Sequence, residues 1–271
     1  MVEFERKPRY AIEDFLKIVE ILRSPEGCPW DRAQTHESIR VNFIEETYEA
    51  IEAIDTQDTA LLREELGDVL LQVALHARME EETGAFNFDD VVNDVAQKLV
   101  LRHPHVFGDV KAGNEAEALQ SWDAAKKASK DQKTDTEVLR SVSRALPALI
   151  RSEKVQKKAA KAGFDWPNVQ GAMEKVEEEL EEVRAAVASG NENACMEETG
   201  DLLFAAVNVA RMLHTEPEEA LTRSCDKFIA RFEKVEKKAA AKGIAMKDAS
   251  LAELDALWDE VKAEENKEQE G

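Results

Sequence analysis

EETGDLLFAAVNVAR, Glu197 to Arg211, is the stretch on which the fold turns. Three carboxylates, Glu197, Glu198 and Asp201, open it, and from Leu202 to Val207 it is wholly apolar. A helix that is apolar on every side predicts burial, and a buried carboxylate is costly without a compensating partner. Glu198 and Asp201 therefore need a counter-charge.

The same pattern stands earlier in the chain. EELGDVLLQV (64–73) answers EETGDLLFAA (197–206), and FIEETYEAIEAI (43–54) answers VEEELEEVRAAV (176–187), both at an offset of 133 residues. Glu45, Glu46, Glu49, Glu65 and Asp68 thus align with Glu178, Glu179, Glu182, Glu198 and Asp201, Gly67 with Gly200, and Arg78 with Arg211. Looser echoes surround these blocks: CPWD (28–31) and GFDWP (163–167), Lys98/Arg102 and Lys227/Arg231, SWDAAKK (121–127) and LWDEVKA (257–263). Self-similarity of this kind predicts a duplicated structural unit. The halves are expected at 1–128 and 138–271, joined by a polar linker at 129–137.

Composition predicts helices. Of 271 residues, 43% are hydrophobic and 34% charged, with only 11 Gly and 7 Pro to make turns. Helical periodicity is strong and strand signals are nearly absent, so the fold class is all-α, a tandem of duplicated helical units. The expected helices are roughly 10–24, 36–55, 58–84, 88–102 and 115–128, then 138–162, 167–188, 192–214, 217–242 and 250–265. A formal net charge of −21 argues against nonspecific binding to nucleic acid or anionic membrane. Cys28, Cys195 and Cys225 form no CxxC pair, and MVEFERKPRYAIEDF carries no apolar signal core, so a cytoplasmic protein is expected.

The acids make chemical sense as a group. Glu179 and Glu182 lie i, i+3 on one helix, and Glu198 and Asp201 repeat that spacing on the next, which a short loop should return antiparallel. Four converging carboxylates repel one another unless a cation neutralises them. Oxygen donors without His or Cys favour Mg²⁺, Mn²⁺ or Ca²⁺ over zinc. A di-iron bundle needs Glu-x-x-His, and no histidine here has Glu three positions before it. Lys227 and Arg231, like Lys98 and Arg102, share a helix face suited to phosphate. Lys175, one turn before Glu179, suits either a phosphate contact or an i, i+4 ion pair. Trp258 and Trp122 suit either core packing or stacking on a base.

Glu-Glu-x-x-Glu followed by Glu-x-x-Asp, together with CPWDRAQTHESIRVNFIEETYEAI and HPHVFGD, resembles the MazG family of nucleoside triphosphate pyrophosphohydrolases over nearly the whole chain. The resemblance implies Mg²⁺-dependent cleavage of NTPs and dNTPs between the α and β phosphates, Mn²⁺ being an alternative ion. It also implies a four-helix-bundle-like all-α architecture and a homodimer, with helices of both subunits building the bundle. Carried over, Glu179, Glu182, Glu198 and Asp201 hold the metal, and Glu178 orients a ligand or the attacking water. Lys175, Lys227, Arg231 and Trp258 contact the nucleotide. Glu45, Glu46, Glu49, Glu65, Asp68, Lys98, Arg102 and Trp122 form a second set in the N-terminal half. At the position of Lys175 that half has Asn42, which makes the C-terminal site the stronger expectation. The competing readings are a non-catalytic, metal-dependent nucleotide-binding dimer, a purely structural helical protein, and an all-α dUTPase-type enzyme.

Overall fold

The computed structural model describes residues 4–129 and 134–269. The chain divides into two compact units, Met1–Lys130 and Asp131–Gly271. Among the described residues regular structure is helical throughout, and no helix is long and apolar enough to cross a membrane. Of the expected linker, 130–133 lie outside the described residues, while the helices on either side take in Ser129 and 135–137.

In the first unit, α1 (Ile12–Arg23) and the short α2 (Pro29–Ala33) precede a long hairpin of α3 (Arg40–Asp55) and α4 (Thr59–Thr83). Helices α5 (Phe88–Arg102), α6 (Pro104–Phe107) and α7 (Glu115–Ser129) complete it. Val19, Ile39, Ala74, Leu75 and Met79 form the core where α1 meets α4, with Phe15, Leu16, Leu71 and Phe88 packed around it. Arg23, itself buried, grips Glu82 of α4 through Nε and Nη2, each at 2.9 Å. Its Nη1 donates to the Asp31 carbonyl at 2.6 Å, fastening the CPWD segment to the hairpin.

The second unit contains α8 (Asp135–Arg140), α9 (Ala148–Lys161), α10 (Val169–Ser189), α11 (Glu192–Met212), α12 (Pro217–Ala241) and α13 (Leu251–Gln269). Helices α10 and α11 pair most extensively, α9 packs on α11 and α12, and α12 pairs with α13. That last pair closes over Val235, Ala239, Leu257 and Val261.

Local chemistry sets the hairpins that carry the acids. Asp58 caps α4 by accepting from Ala60 N at 2.9 Å and Leu61 N at 3.0 Å. Asn191 caps α11 by accepting from Asn193 N at 3.1 Å and Ala194 N at 3.3 Å. Side-chain acceptors there satisfy amides that have no partner inside the helix. The turn before each cap passes through the left-handed region at equivalent positions, Gln57 with φ 57° and Gly190 with φ 67°. The far end of each hairpin repeats this with Gly84 at φ 78° and His214 at φ 55°. The duplication is thus written into the backbone as well as the side chains.

Three expectations needed correction. The helix expected at 138–162 is two helices, α8 and α9, separated around Pro147, which takes the N-cap position of α9. Proline lacks an amide proton and disfavours helix in the residue before it. The short helices α2 and α6, each opened by a proline at its first position, were not foreseen. Finally, the apolar run after Asp201 is not wholly buried within the chain: Ala205 and Val207 are, but Leu203 is 56% and Phe204 43% exposed.

Candidate functional site

Because α10 and α11 are joined by only Gly190 and Asn191, they run antiparallel, and their acids meet. Carboxylate oxygens of Glu179, Glu182 and Glu198 lie within 4.8 Å of one another. In the first unit, Glu46, Glu49 and Glu65 do the same across α3 and α4. The repeated sequence blocks therefore fold into repeated acid clusters.

The deepest member of each cluster is Glu179, 5% exposed, or Glu65, 7% exposed. Oε2 of each is buried without a hydrogen-bond donor. Such an atom carries the full desolvation cost of a polar group unless something else satisfies it. Three oxygen donors converging beside an undonated carboxylate oxygen fit a hard divalent cation, and nothing in the donor set suits a softer one.

Protonation responds to this crowding. Glu182 is held above the usual carboxylate range, first by its hydrogen bond with Glu179 and then by burial. Glu179 is held below it, first by Lys175. Lys175 Nζ lies 2.6 Å from Glu179 Oε1 and 3.0 Å from Glu178 Oε1, and its own pKa is raised by those two acids. In the first unit burial is the leading cause that lifts both Glu46 and Glu65, followed for Glu46 by the charge of Asp68 and for Glu65 by that of Glu49. There the position of Lys175 is filled by Asn42.

The remaining expected residues fall into separate places. Asp201 is outside the tight trio but stands with Glu179 and Lys175 on the wall of one cavity of about 540 Å³. Glu178 is exposed and reaches the site only through Lys175. Arg231 lies 5.9 Å from the ring of Trp258, on the α12–α13 pair, and its Nε donates to Glu265 at 2.8 Å. Lys227 is exposed on α12. The geometry joins Arg231 to Trp258 but not either of them to the acid trio. In the first unit Arg102 likewise lies 5.6 Å from the ring of Trp122, Lys98 is exposed on α5, and Glu45 is exposed on α3.

The cavity also has walls that the sequence reading missed. Gln156 comes from α9, Phe164 and Trp166 from the loop before α10, and Phe204 and Asn208 from α11. Asp165 in that loop is clamped by Arg211 of α11, with Nη1 to Oδ2 at 3.1 Å, and this holds its carboxyl below the ordinary range. The GFDWP echo and the repeat of Arg78 in Arg211 were the available signals. The residues themselves come from three separate segments, which no spacing rule connects. A cavity of about 350 Å³ in the first unit is lined from α1, α4 and α5 and has none of Glu46, Glu49 or Glu65 on its wall.

A duplicated all-α chain with an acid cluster spanning one antiparallel helix pair in each copy defines a tandem helical carboxylate-site protein. The chain belongs to the MazG family: the model of the MazG nucleotide pyrophosphohydrolase domain matches residues 34–107 and 168–236, which include both clusters. It is 42% identical over 250 residues to the nucleoside triphosphate pyrophosphohydrolase/pyrophosphatase MazG of Thermotoga maritima, covering 92% of this chain and 95% of that one. It is 43% identical over 257 residues to a nucleoside triphosphate pyrophosphohydrolase of Escherichia coli K12, covering 94% and 98% respectively. It is also 47% identical over 267 residues to an uncharacterized protein of Bacillus subtilis, YabN, covering 98% of this chain and 54% of the relative.

Proposed function

We propose that this chain is a Mg²⁺-dependent nucleoside triphosphate pyrophosphohydrolase that cleaves NTPs and dNTPs between the α and β phosphates, with the C-terminal unit as the stronger site. The observation that carries this reading is the buried, undonated Glu179 Oε2 beside Glu182 and Glu198, at the edge of a cavity large enough for a nucleotide. Its near full-length relatives bear the corresponding activity in their names.

Glu179, Glu182 and Glu198 would hold the ion, with Asp201 contributing from the cavity wall; Mn²⁺ suits the same oxygens. When bound, such an ion neutralises phosphate charge and makes a water more acidic. The protein's own residues do the rest. Lys175 holds Glu179 ionised, so that this buried carboxylate is available as a ligand. Glu182, whose carboxyl is held above the ordinary range first by its hydrogen bond with Glu179 and then by burial, would serve as a ligand in its ionised form. Glu178, tethered by Lys175, is positioned to orient water or ligand. Lys227 and Arg231 supply positive charge for the leaving pyrophosphate, which for Arg231 means exchanging Glu265 for a phosphate oxygen.

We further propose a homodimer. Leu180, Val187, Met196 and Leu203 are exposed on the acid hairpin of the second unit, and Ile44, Tyr48, Ile51 and Leu66 on that of the first. Apolar surface of this extent on paired helices favours association. Mid-helix Gly67 and Gly200 have nothing within 4 Å of where a Cβ would stand, so no packing inside the chain requires them to be small. A reducing cytoplasm suits the three free cysteines, nucleotide pool control or house-cleaning suits the chemistry, and the net charge of −21 disfavours nonspecific binding to nucleic acid. A panel of NTPs and dNTPs with Mg²⁺, followed by product identification, tests the reading. Monophosphate and pyrophosphate are expected; orthophosphate contradicts α–β cleavage, and nucleotide binding without any product favours the regulatory alternative.

A further inference from the structure

Gln156 stands on the wall of the 540 Å³ cavity and is only 6% exposed. Its Nε2 donates to the Phe204 carbonyl at 2.7 Å, while its Oε1 is buried and accepts from nothing. The opposite amide orientation would set two acceptors against each other at that distance, so the oxygen is the atom left over. Buried amide oxygens are normally satisfied, and an unsatisfied one on a cavity wall calls for a donor from the cavity's occupant. Because one Nε2 hydrogen is committed to the Phe204 carbonyl, the amide orientation is fixed and Gln156 offers the occupant its Oε1 as an acceptor.

The rest of the cavity suits a flat heteroaromatic ring. Trp166 lies against α10 at Gly171, where an added Cβ would come within 3.0 Å of Trp166 Cε3, so glycine seats the indole. Phe164, beside it, is 85% exposed and gains little from packing within the chain. Aromatic faces of this kind stack on bases whatever their identity. Asn208 Oδ1 accepts from Arg211 Nε at 2.9 Å, which leaves the Asn208 amide hydrogens to donate. Glu179 and Asp201 on the same wall put this ring-binding end next to the acid cluster.

We propose that the cavity holds the base of the bound nucleotide and that Gln156 selects bases presenting an amino group, cytosine and adenine, over their oxo counterparts, uracil and hypoxanthine. The inference rests on the nucleotide reading of the acid cluster and deepens it. An amino group donates to Gln156 Oε1, whereas a carbonyl at the same position meets a second acceptor. Sites built around a hydrogen bond discriminate far better than apolar pockets do, because the wrong ligand leaves buried polar groups unpaired.

The test measures binding of CMP, UMP, AMP and IMP to the Mg²⁺-supplemented full chain by titration calorimetry, alongside kcat/KM for CTP and UTP. Wild-type protein is expected to prefer CMP over UMP and AMP over IMP by about fivefold or more, the lower end of what leaving a buried acceptor unpaired costs. Gln156→Leu should bring both ratios close to one. Phe164→Ala, which removes an exposed ring and leaves folding untouched, should weaken CMP and UMP together and keep their ratio; if Gln156→Leu loses its helical circular dichroism, this variant and the wild-type ratios decide. Equal affinities in the wild type, or a preference that survives Gln156→Leu in a folded variant, overturn the proposal. Selective CMP binding with no hydrolysis of any triphosphate would instead overturn the enzymatic reading and leave the base pocket standing.

Discussion

Lys175 Nζ lies 2.6 Å from Glu179 Oε1 on one face of α10, and the equivalent position on α3 is Asn42. The second unit therefore carries a built-in counter-charge for its deepest acid, and the first unit has a neutral amide at that place. Replacing Lys175 with Met strips Glu179 of its partner. Removing one member of a buried pair costs several kcal/mol, but the Lys175 side chain is 36% exposed, so solvent screening reduces the expected loss to about 1–2 kcal/mol. Denaturant unfolding without divalent metal should register this, and Mg²⁺ should restore most of it. A Lys175→Met variant as stable as the parent in EDTA would contradict the pairing.

Metal should act as a stabilising ligand. A cation that binds only the folded state adds about 2.7 kcal/mol at a concentration 100 times its Kd. Differential scanning calorimetry should show a higher Tm in Mg²⁺ than in EDTA. Without metal, Glu182→Gln should be neutral or stabilising, because Glu182 is crowded by Glu179 and Glu198. With Mg²⁺ it should be the less stable protein. A metal-induced shift that survives in Glu182→Gln would place the ion elsewhere.

The helices were legible because their signals are local. Asp58, Asn87, Asn168 and Asn191 cap the starts of their helices, and Gly84 and Gly190 end theirs, close to the bounds that periodicity gave. The acid clusters were legible because i, i+3 spacing and a two-residue link leave little choice of geometry. The break at Pro147 was missed because apolar periodicity continues on both sides of it, and α2 and α6 are too short to show a period. The cavity was not legible at all. Gln156 and Phe204 are 48 residues apart and meet only when α9 packs on α11.

The first unit contains a pH-sensitive pair. His36 Nδ1 and His76 Nδ1 are 2.6 Å apart, and His36 Nε2 is 2.8 Å from Glu80 Oε1. Burial, and then the charge of His36, holds the His76 pKa below its ordinary 6.5. Below pH 6.5 the unfolded chain takes up a proton at His76 that the folded state resists, so stability present above that pH is lost as pH falls through the depressed value. Thermal melting at pH 7.5 and 5.5 should show the loss, and His76→Phe, which can keep the stacking on His36, should reduce it. An unchanged pH dependence in that variant would contradict the assignment.

Backbone strain offers an independent check of the duplication. Gln57 adopts the left-handed conformation that Gly190 adopts at the matching turn. Outside glycine that conformation costs about 1–2 kcal/mol, part of which is offset by the greater freedom of glycine in the unfolded chain. Gln57→Gly should stabilise by about 0.5–1 kcal/mol, and Gly190→Gln should destabilise by a similar amount. Chemical denaturation of both variants would measure the pair; opposite signs to these would show that the two turns are not equivalent.

The proposed function requires that NTP hydrolysis take place at the acid cluster of α10 and α11. Its most direct test is pyrophosphate release from an NTP with Mg²⁺ by the parent protein, Glu182→Gln and Glu49→Gln. The Glu182→Gln variant should lose about 100-fold or more of its turnover, as loss of charge stabilisation at a reacting phosphate does, while Glu49→Gln should keep most of its activity. If Glu49→Gln alone loses nearly all turnover, the working site is in the first unit and the account is wrong.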